Sequence, residues 1–281
     1  MTEIPTERNE RVYARPGLVR RYFLLLAAAW RSQLQYRANL LFMIVGGIAY
    51  QCVGLVFVWA VVERFGEIGG WSLTEISFLY GMRLTAHALW TIPFNQLNRL
   101  DEVIREAEFD RYLVRPAGLL VQLTTRQINP QVAGDLLAGV GLLAVSAGLV
   151  NRDWTAATVG YLVLAIVGGA LVELSLQLAG AALCFKLLST RSFRLLIDSV
   201  FNNFGGYPMN AFPLATQFAL TFIVPLAFVA YFPASELLGR ADEVLVHPWI
   251  ATASPLVGLL CLSASYSFWR SQARHYGSAG H

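Results

Sequence analysis

The run from Ala38 to Val62 is 25 residues long and carries no charged side chain. At about 1.5 Å per residue, a helix of that length crosses the roughly 30 Å hydrocarbon core of a bilayer. A run of this kind leaves little room for a soluble fold, and the remaining composition agrees. The chain is 56% hydrophobic and 14% charged, against about 25% charged in an ordinary soluble domain. The fold class expected is an all-α integral membrane protein.

Five further apolar stretches follow the same rule, so six spans are expected, at about 38–62, 72–94, 132–150, 155–185, 212–232 and 248–269. Residues 1–37 form a basic arm with seven arginines and three glutamates. Its run Tyr22 to Trp30 is too short to span and shows no small-residue cleavage site, so the N-terminus is expected to be retained. From Leu18 the arm reads as an amphipathic helix in the interface, with Trp30 and Tyr36 at headgroup level. Leu195 to Asn210, with Asp198, Asn202, Asn203 and the Gly205-Gly206 pair, is either interfacial or a broken lead-in to the fifth span. Residues 270–281 form the tail.

Orientation follows from where the basic residues lie. With the N-terminus inside, the arm, residues 98–131, residues 186–194 and the tail hold 17 of the 21 Lys and Arg. The outer loops hold three, Arg64, Arg152 and Arg240. That bias places both termini in the cytoplasm of a cell with an inner (plasma) membrane.

The most charged stretch is Asn98 to Pro116, NRLDEVIREAEFDRYLVRP. Leu100, Val103, Ile104, Ala107 and Val114 fall at helical spacing and predict one apolar face. Asp101 with Arg105, and Glu108 with Arg111, are spaced to pair along the exposed face. Pro116 stops the helix. Such a helix either lies solvated on the lipid surface or is gripped by a soluble partner.

Several chemistries lack their residues. The chain has one lysine, Lys186 in CFKLL, which does not fit a P-loop. It has no HExxH, CxxC or GxSxG, so no metal site, no enzymatic activity and no cofactor of its own is expected. Cys52, Cys184 and Cys261 lie far apart in apolar segments and read as small buried hydrophobes. The net charge of +3 is too small to point to nucleic acid, and no such partner is expected. No stretch outside the spans is large enough for an independent core. Charge inside a span is costly and faces a partner or a cavity. Arg83, His87, Asp135 and Glu173 are the intramembrane polar candidates. Arg83 and Glu173 are expected to pair across helices, or with Asp135 to form the relay of an ion-coupled secondary transporter. A membrane scaffold without transport is a third reading.

Three strings carry a family likeness: ISFLYG at Ile76 to Gly81, EFDRYLVRP at Glu108 to Pro116, and YFPASELLG at Tyr231 to Gly239. With them, the chain resembles the membrane subunits of ABC transporters of the ABC-2 type, in the branch of uncharacterised or drug-export permeases. Ala107 stands where that family often has Gly. The resemblance implies an export permease for a hydrophobic or amphipathic substrate, a drug-like compound or a lipid. It implies a second permease copy or paralogue, and a separate ABC ATPase subunit that binds ATP and Mg. It also implies that Leu100 to Val114 is the coupling helix received by that ATPase, and that 233–247 caps the gate outside. By helix position, Arg105, Glu108, Phe109, Asp110, Arg111, Tyr112 and Arg115 are the coupling residues expected to meet the ATPase.

Overall fold

The structure, a computed structural model, describes residues 17–106, 119–124, 128–187 and 190–274. Every regular element among them is helical, apart from an isolated bridge between Ile68 and Trp71. In chain order these are α1 (Leu18–Leu34), α2 (Arg37–Phe65), α3 (Leu73–Phe94), α4 (Leu100–Arg105), α5 (Leu119–Thr124), α6 (Gln131–Leu149) and α7 (Ala156–Ala182). Then come α8 (Arg191–Phe204), α9 (Leu214–Phe218), α10 (Tyr231–Leu237), α11 (Pro248–Thr252) and α12 (Ser254–Ala273). Coupling candidates Glu108, Phe109, Asp110, Arg111, Tyr112 and Arg115 lie outside the described residues.

Three helices are long and apolar enough to cross a membrane: α2, α6, and α7 with its 3-10 extension to Phe185. The expected second and sixth spans coincide with helices, α3 and α12, whose more polar composition keeps them out of that set. Glu75, Arg83 and His87 interrupt α3, while serines and Arg270 dilute α12. The expected fifth span, 212–232, is not one helix. Leu214–Ile223 and Leu226–Leu237 meet at 74°. Pro225 explains the break: it offers no N–H, and it drives Val224 out of the helical region to φ −114°, ψ 92°. The helical turns then run on past Phe232 to Leu237, so the outer loop begins later than Pro233.

The core forms around α3. Ile76, Phe78, Leu79, Met82, Leu84 and Ala86 are all fully buried although they point in different directions round the helix, so α3 is enclosed. It packs on α6 and α7, α2 packs on α6 and touches α3 at Tyr80, and α12 lies along α7. Small residues let these helices approach closely, as close packing between apolar helices requires. A Cβ on Gly81 would sit 2.8 Å from the Leu143 nitrogen, and one on Gly139 2.9 Å from the Thr85 nitrogen. One on Gly168 of α7 would lie 2.5 Å from Cα of Pro255 in α12. By contrast, Phe42, Val53, Phe57 and Trp59 on α2 and Leu259 and Leu260 on α12 are exposed, forming apolar outer faces suited to lipid.

The connections gather at two ends. Ser72, Glu75, Val150, Arg152 and Leu238 line one shared recess. At the opposite end Arg194 reaches Asp101, and the Phe185 ring packs edge-on against Trp269 at 5.0 Å.

Candidate functional site

Helical spacing on α3 puts Arg83, His87 and Trp90 on one face, at i, i+4 and i+7. On α7 the same spacing places Glu173 and Gln177 one turn apart. The two faces meet. Glu173 Oε2 accepts from Trp90 Nε1 at 2.7 Å and lies 2.7 Å from His87 Nδ1. An ionised carboxylate only accepts, so this contact requires the proton on Nδ1. Arg83 Nε stands 3.8 Å from Glu173 Oε1, and each side chain is 3% exposed. The expected cross-helix pair is therefore present, and His87 is packed against it.

The amphipathic helix α8 completes the cluster. Asn202 Oδ1 accepts from Arg83 Nη2 at 2.8 Å, and Asp198 Oδ1 accepts from Gln177 Nε2 at 2.5 Å. Asp135 does not join it. Its Oδ1 accepts from Gln51 Nε2 at 2.8 Å, and Gln51 Oε1 accepts from the Tyr80 hydroxyl at 3.0 Å. That second network ties α2, α3 and α6 with neutral donors, and separates Asp135 from Arg83 and Glu173. Both groups tie helices together at buried positions.

At the end that carries the charged segment, α4 buries the apolar face the sequence predicts: Leu100 is fully buried, and Val103 and Ile104 nearly so. The expected charge pairing on this helix is different. Asp101 is 1% exposed, not on the solvated face, and its carboxylate accepts from Arg194 Nη2 of α8 at 2.8 Å. Arg194 Nη1 also donates to the Leu97 carbonyl. Among the described residues, Arg105 Nε donates to the Asp101 backbone carbonyl at 3.4 Å and not to its carboxylate. Glu102 pairs instead with Arg99 at 2.8 Å and Arg191 at 3.8 Å. A polar recess of about 330 Å³ opens between α4 and α8, lined by Asn98, Glu102 and Asp198 among others. Arg105 and Glu106 close the described part of this segment and are exposed.

The opposite end is clasped by Arg240. Its Nε donates to Glu75 Oε1 at 2.8 Å, Nη2 to the Gly70 carbonyl at 2.8 Å, and Nη1 to Glu243 at 3.0 Å. The guanidinium lies 5.4 Å from the centre of the Trp71 ring. Gly69 and Gly70 turn the chain here with φ of 59° and 77°, a region that side chains with Cβ seldom enter. Glu75 also closes a capping box with Ser72, which fixes where α3 begins.

Gln51, Trp90, Asn202 and Arg194 were not foreseeable as partners. Each belongs to a contact spanning tens of residues of sequence, and helical periodicity carries no information about those. Among the described residues, no group of three or more His, Cys, Asp or Glu is placed to hold a metal ion. Cys52, Cys184 and Cys261 are free thiols; Cys184 is buried as expected, while Cys52 is exposed on α2.

The strings Ile76–Gly81 and Tyr231–Gly239 both lie at the heart of this packing, in α3 and in α10 with its closing turn. No curated protein and no solved structure matches the chain. A family model described as ABC-2 family transporter protein matches residues 48–280, from the middle of α2 to the C-terminal tail. A helical membrane chain with two buried polar networks and a charged segment anchored at one end thus belongs to the ABC-2 family of transporter membrane proteins.

Proposed function

We propose that this chain is the membrane-spanning permease subunit of an ATP-driven exporter, coupled to a separate ATPase through the segment that starts at α4. The observation that carries the reading is the anchoring of α4. Its apolar face and Asp101 are buried against the membrane body, while Arg105 and Glu106 face outward just before the charged string Glu108 to Arg115. A segment held rigidly on one side and charged on the other is suited to receive force from a soluble partner. ATP and Mg bind that partner, and a second permease copy or paralogue completes the pathway.

Six crossings fit the geometry. Helices α2, α3, α6, α7 and α12 each run between the two ends, and α8 with the bent pair joins the inner end to the clasp of Arg240. The basic bias of the inner segments supports an inner (plasma) membrane location with both termini cytoplasmic. Few charges face the outer surfaces of the spans, which favours a hydrophobic or amphipathic substrate, drug-like or lipid. A relay through Arg83 and Glu173 is the weaker reading, because both are closed off from water and Asp135 bonds elsewhere.

The test is co-purification of the tagged chain from its own cells, wild type against Glu108→Arg with Arg111→Glu. An ATPase that accompanies wild type and is lost from the variant is the expected result. Absence of any ATPase from wild type refutes the docking reading.

A further inference from the structure

Arg194, Asp198 and Asn202 stand four residues apart along α8, so they form one stripe of about 12 Å on a single face. Each is bonded to a different element. Arg194 holds Asp101 of α4 at 2.8 Å, Asp198 accepts from Gln177 of α7 at 2.5 Å, and Asn202 accepts from Arg83 of α3 at 2.8 Å. Arg83 and Gln177 flank Glu173, which also contacts His87 and Trp90. A continuous run of polar contacts therefore leads from the inner segment to the enclosed core, with α8 as its rod.

Two further features belong to a moving joint rather than a static brace. Asp101 Oδ2 and Arg194 Nε are buried without a hydrogen-bond partner among the described residues, and so is Gln177 Oε1. Buried polar atoms with unused bonding capacity are uncommon in a finished structure. They leave alternative pairings open to the same residues if α8 turns or slides. Moreover, the stem of Arg194 lies against Gly180 of α7, where a Cβ would come 2.9 Å from its Cγ, so α8 rests on a smooth surface there. The Gly205-Gly206 pair that follows α8 is buried, and a Cβ on Gly206 would come 2.6 Å from the Tyr80 ring, so the far end of α8 lies directly against α3, where its displacement would be felt.

We propose that α8 is the transmission helix of this permease. Asp101–Arg194 is its input, where displacement of α4 enters. Asn202–Arg83 is its output, where that displacement reaches α3 and through it the Glu75–Arg240 clasp at the outer end. Arg194, Asp198 and Asn202 are positioning residues on this account. The inference rests on the docking reading above, since it needs a partner to move α4.

The test uses the chain co-purified with its ATPase in lipid nanodiscs, and measures amide hydrogen exchange at 66–72 and 231–243 with and without ATP and vanadate. The key variant is Asn202→Ala, at an exposed position on α8, which takes the acceptor from the buried Arg83; Asn202→Asp retains an acceptor for Arg83 and controls for the stability that this bond contributes. Wild type is expected to change exchange at the outer segments several-fold on trapping. Asn202→Ala should keep the ATPase bound and still hydrolysing ATP, but lose that outer response, and Asn202→Asp should restore it. An unchanged response in Asn202→Ala overturns the inference and leaves the docking reading standing, as does a wild-type complex without any outer response. A wild type that holds no ATPase removes both. A merely structural role for Asn202 predicts a lowered melting temperature in Asn202→Ala, recovered in Asn202→Asp, and faster exchange with and without nucleotide rather than a selective loss of the trapped response at the outer end.

Discussion

Replacing Glu173 removes the carboxylate that faces Arg83 and takes an acceptor from Trp90 and His87. Among the described residues Arg83 then keeps Asn202 as its hydrogen-bonding partner, in a site where its side chain is 3% exposed. Leaving one member of a buried ion pair uncompensated costs about 3–5 kcal/mol. At roughly 2–4 °C per kcal/mol for a chain of this size, Glu173→Met should lower the melting temperature by roughly 6–20 °C. Arg83→Met strands the carboxylate instead, with Trp90 and His87 still donating, and belongs at the lower end of that range. The double variant removes both charges and fills similar volume, so it should lose under about 2 kcal/mol, far less than the sum of the two single losses. Unfolding in detergent micelles, followed by tryptophan fluorescence with Trp90 inside the network, measures all four proteins. Losses in the double variant that simply add, within about 0.5 kcal/mol, would falsify the coupling between the two residues.

Other substitutions probe the remaining contacts. Arg240→Ala should cost only about 1–2 kcal/mol, because its partner Glu243 is 43% exposed and Arg240 itself 23%. Its effect should shrink in high salt, and faster hydrogen exchange at 66–75 is the readout; an effect independent of salt points away from charge pairing. Gly168→Val drives a side chain into the Pro255 backbone, where a Cβ already stands at 2.5 Å, and should destabilise by about 1–3 kcal/mol through separation of α7 from α12. A cysteine cross-link between exposed positions on those two helices should form less readily in that variant. Gln51→Leu strands the Asp135 carboxylate and the Tyr80 hydroxyl, for about 1–3 kcal/mol. Adding Asp135→Leu should recover part of that loss in the same melt, and no recovery rules out the Gln51–Asp135 bond.

The apolar runs that became α2, α6 and α7 were legible because length and lack of charge suffice to define them. The buried face of α4 was legible too, from Leu100, Val103 and Ile104 at helical spacing. Arg83 with Glu173 followed from the cost of charge in an apolar span, which forces an opposite partner. The same reasoning misassigned Asp101. Its i+4 neighbour Arg105 is a local solution, whereas the actual partner Arg194 is 93 positions further on and reachable only once α8 has docked. The kink at Pro225 was overlooked because hydropathy averages over the break, although a proline inside an expected span is itself a warning. Outer residues such as Arg240 read as loop charge, since nothing local marks its reach back to Glu75.

The 74° bend has a consequence for how the protein is made. Leu214–Ile223 and Leu226–Leu237 span roughly 15 and 18 Å as helices, each about half the bilayer core. Neither half can leave the insertion machinery alone as a stable crossing, and the backbone at Val224–Pro225 cannot be left facing acyl chains. Leu226, Ala227, Val229 and Ala230 are accordingly buried against protein. The bent pair must therefore be laid onto helices already in place, and α12, synthesised after it, then closes along α7.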